Sequence, residues 1–237
     1  MRLIAIGDTH GCLDSLENLI DKLEVTQEDT VVFLGDYIDR GPKPVETVDF
    51  VLEFQEKFPN TVLLRGNHDE MMIKTILENN RMWGQTWWHN GGAGTEERYT
   101  ASNRGIGEAA TQLKNATDLV YKHSVGEIDY HFIHAGYFPE IPVLEQYEDL
   151  QRNGMGSMYE DAAMWNRSHV KYALDNKPNE WEDNVVVVCG HTPMDDVLST
   201  DKLVCLDTGA VFGGKLTAMV VDEENNRNFV QVEGLIR

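Results

Sequence analysis

Short polar clusters follow several apolar segments of this sequence, and they hold the residues best suited to chemistry. Three lie in the first half of the chain: GDTHG at 7–11, GDYIDRG at 35–41 and RGNHD at 65–69. Two more, HAG at 134–136 and GH at 190–191, lie in the second half. Carboxylate, imidazole and amide groups packed this tightly seldom help a hydrophobic core, so the clusters indicate a functional site.

Six side chains in these clusters are candidate metal ligands. They offer oxygen and nitrogen donors without cysteine, which suits manganese, iron or zinc and argues against a thiolate-bound structural zinc. Six donors exceed one tetrahedral site and match two divalent metals that share one carboxylate. The candidates are Asp8, His10, Asp36, Asn67, His134 and His191.

Each cluster taken alone has a simpler interpretation. An Asp at a strand end is usually a helix cap or turn residue, and a single His is usually just hydrogen-bonded. Five such clusters together make that interpretation inadequate. The remaining histidines lie outside the clusters and are assigned no role: His89, His123, His131 and His169.

The elements that must position these residues alternate in the first half. Short apolar segments at 2–8, 30–36 and 61–67 predict strands, and the segments at 12–24, 42–58 and 69–80 predict helices. This order predicts a parallel sheet with helices on its faces. Ligands bind outside the carboxyl ends of strands in such sheets, which is where the clusters lie.

The second half predicts a different sheet. Residues from about 80 to 125 are rich in Trp and Gly and partly helical, and we interpret them as an insertion over one end of the sheet. Trp83, Trp87 and Trp88 either stack a substrate base or, as we favour, pack this insertion onto the core. Several later strands joined by short turns predict a second, partly antiparallel sheet. The predicted fold is one α/β domain over 1–237, a two-layered mixed β-sheet core flanked by helices.

The composition and net charge disfavour some classes of function. The 237 residues are 41% apolar, which is enough for a core, and their formal net charge is −20. Such a surface disfavours nucleic acid and anionic membranes, and a phosphate substrate would need metals or arginines concentrated at one place. We expect a cytoplasmic protein, because the three cysteines form no CxxC pair and neither a membrane span nor a signal peptide is apparent.

The motifs GDTHG, GDYIDRG, RGNHD, HAG and GHT resemble, in order, those of the phosphoprotein phosphatase branch of the calcineurin-like metallophosphoesterases. The resemblance spans Asp8 to His191, and the chain length is similar to that of the short bacterial and phage members. Two departures are mild: Asp69 stands where the family often has Glu, and Ala135 where it often has Gly.

The resemblance implies a role for each matching residue. Asp8 and His10 would hold one metal, Asp36 would bridge, and Asn67, His134 and His191 would complete the second site. His68 would be the general acid, oriented by Asp39. The phosphate-binding candidates are Arg40, Arg65 and, with an ordinary surface ion pair as an equal alternative, Arg167.

The favoured function is a serine/threonine or dual-specificity protein phosphatase with two divalent metals, manganese first, and a hydroxide held between them. The alternative is a bis(5'-nucleosyl)-tetraphosphatase, which hydrolyses diadenosine tetraphosphate. The few lysines and arginines near the aromatic insertion favour the phosphatase. An inactive binding module is disfavoured because the ligand set is complete. The substrate would be a phosphoprotein or a phosphorylated small molecule, with no obligate protein partner.

Overall fold

The computed structural model describes residues 1–234, and its first half alternates strand and helix as predicted. The six elements are β1 (Leu3–Ile6), α1 (Leu13–Leu23), β2 (Thr30–Phe33), α2 (Pro44–Lys57), β3 (Thr61–Leu64) and α3 (Asn67–Ile76). β1, β2 and β3 are neighbouring parallel strands, so the parallel arrangement is confirmed.

The helical segment that follows packs onto these elements. It contains α4 (Arg81–Trp87), α5 (Ala93–Ala101) and α6 (Ile106–Ala116), with a kinked turn at Trp88–Gly92 between the first two. α4 and α6 contact α3, and α5 contacts α2. The predicted insertion to about residue 125 extends too far, because residues 117–125 already form strands of the two sheets.

The second half supplies the remaining strands and three more helices. In chain order they are β4 (Thr117–Asp118), β5 (Val120–Val125), β6 (Ile128–Ile133), α7 (Val143–Asn153), α8 (Glu160–Trp165), α9 (Ser168–Leu174), β7 (Val185–Cys189), β8 (Leu198–Ser199), β9 (Leu203–Cys205), β10 (Lys215–Val221) and β11 (Arg227–Glu233). The acidic tract at 222–226 forms the turn between β10 and β11.

Two mixed sheets result, as the sequence predicts. One has the strand order β11-β10-β1-β2-β3-β4, and the other has the order β5-β6-β7-β9-β8. β10 and β11 run antiparallel at one edge of the first sheet, while β6, β7 and β9 are parallel in the second. Parallel strands thus lie at the centre of both sheets, and their carboxyl ends can present ligands together.

Alternating side chains in the central strands explain the layering. In β1, Leu3 and Ala5 join an apolar cluster that includes Val186 and Val188 of the second sheet. Ile4 of the same strand points to the other face, where it packs with residues of α1 and α2. The helices α7, α8 and α9 cover the outer face of the second sheet. Helices therefore cover two stacked sheets, and the central strands β1, β2, β7 and β9 are buried on both faces.

No helix within residues 1–234 is both long and apolar enough to cross a membrane.

Candidate metal centre and active site

The predicted metal ligands meet at one edge of the molecule, where strands of both sheets end. β1, β2 and β3 of the first sheet lead into three of the polar clusters, and β6 and β7 of the second sheet lead into the other two. The structure brings together six buried side chains, which are Asp8, His10, Asp36, Asn67, His134 and His191.

One group that could hold a metal ion consists of His10, Asp36 and His68, whose ligand atoms lie within 4.8 Å of one another. His10 Nε2 is 3.4 Å from Asp36 Oδ2. His10 Nδ1 donates to the backbone carbonyl of Ile38 at 2.8 Å. In the neutral ring this bond leaves the lone pair on Nε2, the arrangement that metal-binding histidines use, and Nη1 of Arg40 lies 2.7 Å from that nitrogen.

A second group consists of Asp36, His134 and His191. His134 Nε2 lies 3.5 Å from Asp36 Oδ2. Asn67 Oδ1 lies 2.9 Å from both His134 Nε2 and His191 Nδ1. His134 Nδ1 donates to the carbonyl of Leu34 at 2.8 Å, so its Nε2 also carries a lone pair toward the cluster. Asp36 belongs to both groups.

The electrostatics of the cluster favour a bound cation. Burial lowers the pKa of His10 to about 3 and that of His191 to about 2, so both rings are neutral at neutral pH. Burial, followed by the nearby Asp207 and Asp36, raises the pKa of Asp8 well above its usual range. Neutral imidazoles, an amide oxygen and carboxylates are all electron-pair donors, and together they fit a divalent metal.

Asp8 lies slightly apart from these two groups. Its carboxylate accepts the backbone N–H of His191 at 3.0 and 3.2 Å. A Cβ at Gly190 would overlap an oxygen of Asp8, and one at Gly66 would overlap an oxygen of Asp36. This explains why glycine occurs in the RGNHD and GH clusters, since the backbone there must leave room for a carboxylate.

Five of the site residues adopt a left-handed backbone conformation that side chains other than Gly rarely take. The φ angles are 42° at His10, 55° at Asp36, 68° at Asp39, 67° at Arg40 and 64° at His191. Such conformations cost free energy and persist where the surrounding fold enforces them, commonly at functional sites.

Asp69 fixes two of the strand-end loops relative to each other. Its buried carboxylate accepts the backbone N–H groups of Asp36 and Gly66 at 2.9 Å and of Tyr37 at 3.1 Å. A shorter Asp in place of the family's frequent Glu is therefore compatible with a well-supported site. Sequence reasoning noted Asp69 only as a departure.

His68 is held by an extended hydrogen-bond network. Its Nδ1 lies 2.6 Å from Asp39 Oδ2, and its backbone N–H donates to Asp36 Oδ1 at 2.9 Å. Asp39 in turn accepts from Trp87 Nε1 at 2.9 Å and from Thr95 Oγ1 at 2.6 Å. Because Nδ1 of His68 bonds this carboxylate, Nε2 is the ring nitrogen that remains for the site.

Trp87 and Thr95 belong to the helical segment that follows α3, so this segment supports His68. The sequence analysis favoured packing onto the core for Trp87, which is confirmed. It did not foresee the bond of Trp87 to Asp39 and did not name Thr95, because nothing in the sequence links either residue to an Asp some fifty positions earlier. Trp87 is fully buried, while Trp88 is 56% exposed. The three tryptophans therefore do not form one continuous aromatic surface.

Arg65 is not brought to the metal-ligand cluster. Its guanidinium donates to Thr117 Oγ1 at 3.0 Å, to Glu70 Oε2 at 3.0 Å and to the carbonyl of Lys114 at 2.8 Å. All three nitrogens are thus engaged with β4, α3 and α6. These contacts favour a structural role for Arg65, because a buried cation needs such partners, and its phosphate-binding role stays a prediction.

Arg40 and Arg167, both exposed, adjoin the cluster at different places. Nη1 of Arg40 lies 2.7 Å from Nε2 of His10. Nη2 of Arg167 donates to the backbone carbonyl of His191 at 3.4 Å. Two cations therefore lie beside the two groups of metal ligands, where an anionic substrate would need them.

The cysteines take no part in this chemistry. Cys12, Cys189 and Cys205 are all buried. Burial raises the pKa of the Cys12 thiol to about 11, so it is protonated at neutral pH and unsuited to act as a nucleophile.

The sequence is similar to those of known proteins over nearly its whole length. The family description "Calcineurin-like phosphoesterase" matches residues 1–227. The chain belongs to this family. The phosphoesterase is 26% identical to the symmetrical bis(5'-nucleosyl)-tetraphosphatase of Xylella fastidiosa (strain 9a5c), and the alignment covers 99% of the chain and 93% of that relative.

Solved structures share the fold of this phosphoesterase. One provisionally named a diadenosine tetraphosphatase has a TM-score of 0.65 at 22% identity and covers 99% of this chain and 94% of its own. A protein serine/threonine phosphatase from Saccharomyces cerevisiae has a TM-score of 0.66 at 16% identity, and the match covers 99% of this chain and 80% of that chain. At these identities the likeness extends to the fold alone.

Proposed function

We propose that this phosphoesterase is a metal-dependent hydrolase of dinucleoside polyphosphates, with diadenosine tetraphosphate as the type substrate. The observation that carries the proposal is the relationship to the Xylella tetraphosphatase along nearly the whole of both chains. This favours the alternative of the sequence analysis over the protein phosphatase, to which the chain is similar only in fold.

The site is suited to a long polyanion. Arg40 adjoins His10 of one metal-ligand group, and Arg167 adjoins His191 of the other. In a protein with a formal net charge of −20, these arginines and bound cations provide the local positive charge that phosphates need.

The reaction we propose is attack of water on phosphorus and cleavage of the central anhydride, which yields two molecules of ADP. Two divalent ions, manganese first among the candidates, would be held by Asp8, His10 and the shared Asp36, together with Asn67 and the two later histidines. When bound, such ions neutralise phosphoryl oxygens and make water more acidic.

We assign the general acid role to His68. Its Nδ1 is engaged with Asp39, which leaves Nε2 to hold the proton that the departing oxygen accepts. Asp39 stabilises the protonated ring and keeps its orientation. Arg40 and Arg167 bind phosphoryl oxygens and hold the substrate in line.

The test uses protein stripped of metal and reloaded with manganese, iron or zinc in turn. Initial rates are measured on diadenosine tetraphosphate and on a phosphoserine peptide, and nucleotide products are separated by chromatography. The proposal expects metal-dependent turnover, kcat/KM at least tenfold higher for the dinucleotide, and ADP as the product. Asp36→Asn serves as the inactive control.

A higher kcat/KM for the peptide would overturn the proposal in favour of a protein phosphatase. Formation of ATP and AMP would place the cleaved bond elsewhere in the tetraphosphate.

A further inference from the structure

An exposed aromatic ring stands beside each metal-ligand group, and the proposed mechanism uses neither ring. Trp165, 36% exposed, meets His191 edge to face, with ring centroids 5.9 Å apart and planes at 88°. Phe212 is 62% exposed, and the guanidinium carbon of Arg40 lies 5.5 Å from its ring centroid. What distinguishes these two rings is that both contact residues of the site itself, the first a metal-ligand candidate and the second a phosphate-binding candidate.

The two rings lie at the two ends of one path of contacts through the site. From Trp165 the path enters the cluster at His191, and it leaves toward Phe212 through His10 and Arg40. Between these ends it passes through Asn67, His134 and Asp36. A continuous series of contacts thus connects the two aromatic side chains through the metal-ligand cluster.

Local structure fixes the position of both rings. Trp83 of α4 stacks on Trp165, with centroids 6.5 Å apart and planes within 19°. Phe212 ends the short turn Ala210–Phe212, which lies between Gly209 and Gly213, two glycines with positive φ. Trp165 is therefore held by its stacked neighbour, and Phe212 is held by a tight turn.

We propose that Trp165 and Phe212 are the two nucleobase platforms of this site, one for each end of a dinucleoside polyphosphate. The inference rests on the proposed function and adds the residues that select for a base at each end. Any nucleobase can stack on an aromatic ring, and nearby guanidinium groups strengthen such contacts. A phosphopeptide carries no pair of flat rings, one on each side of its phosphate, to fill both platforms.

The decisive experiment compares variants that keep apolar bulk with variants that keep a ring. We expect Trp165→Leu and Phe212→Leu each to raise KM for diadenosine tetraphosphate about tenfold with little change in kcat, and the double variant to combine the two effects. Trp165→Phe and Phe212→Tyr should retain most of the affinity. Trp88→Leu, at an exposed tryptophan outside the path, is the matched control.

A probe without bases separates stacking from damage to the phosphate site. Inorganic tetraphosphate should inhibit the wild type and both Leu variants with the same constant. Binding of a methylene-bridged, non-hydrolysable dinucleotide, measured by calorimetry, should weaken in parallel with the rise in KM.

Two negative results are distinguishable. If the wild type hydrolyses the dinucleotide and the Leu variants match its KM within twofold, the platforms are wrong and the proposed function stands. If the wild type prefers the phosphoserine peptide, the proposed function fails and the platforms fail with it.

Discussion

At the scale of single residues, the position of His68 makes its role testable through the leaving group. Replacing it with Gln should slow hydrolysis of phenyl phosphate roughly 10²- to 10⁴-fold, because the departing phenolate needs a proton. The loss should be smaller with p-nitrophenyl phosphate, whose leaving oxygen is more stable as an anion. Steady-state rates on the two esters measure the difference.

His89→Gln is the control for this substitution, since His89 is exposed and its ring bonds the carbonyl of Gln85, away from the site. Equal losses on both esters would contradict proton donation by His68. That outcome would instead assign His68 as a metal ligand, a role its place in the group with His10 and Asp36 also permits.

Two arginines of the motifs should respond to substitution in opposite ways. Arg65→Met should lower the free energy of unfolding by about 2 kcal/mol, because the buried Glu70 loses its 3.0 Å partner and keeps Lys74 at 3.5 Å. Arg40→Met should change stability by less than about 0.5 kcal/mol, since Arg40 is exposed. Urea unfolding measures both effects.

Activity assays complete the comparison of the two arginines. Arg40→Met should raise KM for diadenosine tetraphosphate, because a phosphate contact is lost. A stable Arg65→Met protein with a similarly raised KM would restore Arg65 to phosphate binding.

At the scale of elements, Asp29 joins the starts of β1 and β2. Its carboxylate accepts from the backbone N–H of Arg2 at 3.1 Å, from the Arg2 guanidinium at 2.6 Å and from Thr26 at 2.9 Å. Burial alone would raise the pKa of Asp29, but the Arg2 hydrogen bond and the Thr26 bonds outweigh it and lower the pKa to about 2.

This shift predicts a stability that depends on pH. The folded-state pKa of Asp29 lies below the ordinary value of 3.8, so its contribution is present above about pH 4 and disappears as pH falls toward 2. Asp29→Asn should cost about 2 kcal/mol at pH 7 and progressively less below pH 4. Denaturant unfolding at several pH values, with the exposed Asp195→Asn as control, measures this. A cost independent of pH would contradict it.

The helices and strands of the first half could be predicted because hydrophobic periodicity is a local property of the sequence. Alternation of strands and helices, and the apolar spacing of α1, follow from residues next to each other in sequence. The six candidate metal ligands could be named because each follows a strand. By contrast, Trp87 and Thr95 contact Asp39 only because tertiary packing brings them together. The guanidinium of Arg65 likewise bonds three groups that are distant or on another element, which are Glu70, Thr117 and the carbonyl of Lys114. Those contacts have no local signature.

At the scale of the whole molecule, the site lies across the two sheets. Asp8, Asp36 and Asn67 follow strands of the first sheet, while His134 and His191 follow strands of the second. Asn67 already contacts both of those histidines at 2.9 Å. A cation held by this set would connect the two sheets directly, in addition to the apolar side chains packed between them.

Removal of the metals should therefore loosen the contact between the sheets as well as abolish activity. A metal present at a thousand times its dissociation constant stabilises the folded state by about 4 kcal/mol, so chelation should lower Tm by roughly 10 °C. Hydrogen exchange should accelerate most at the carboxyl ends of β1, β2, β3, β6 and β7, where the candidate ligands lie. In Asp36→Asn, which lacks the shared carboxylate, chelation should shift Tm much less. If chelation left Tm and exchange unchanged in the wild type, apolar packing alone would hold the sheets together, and the metals would serve only the chemistry.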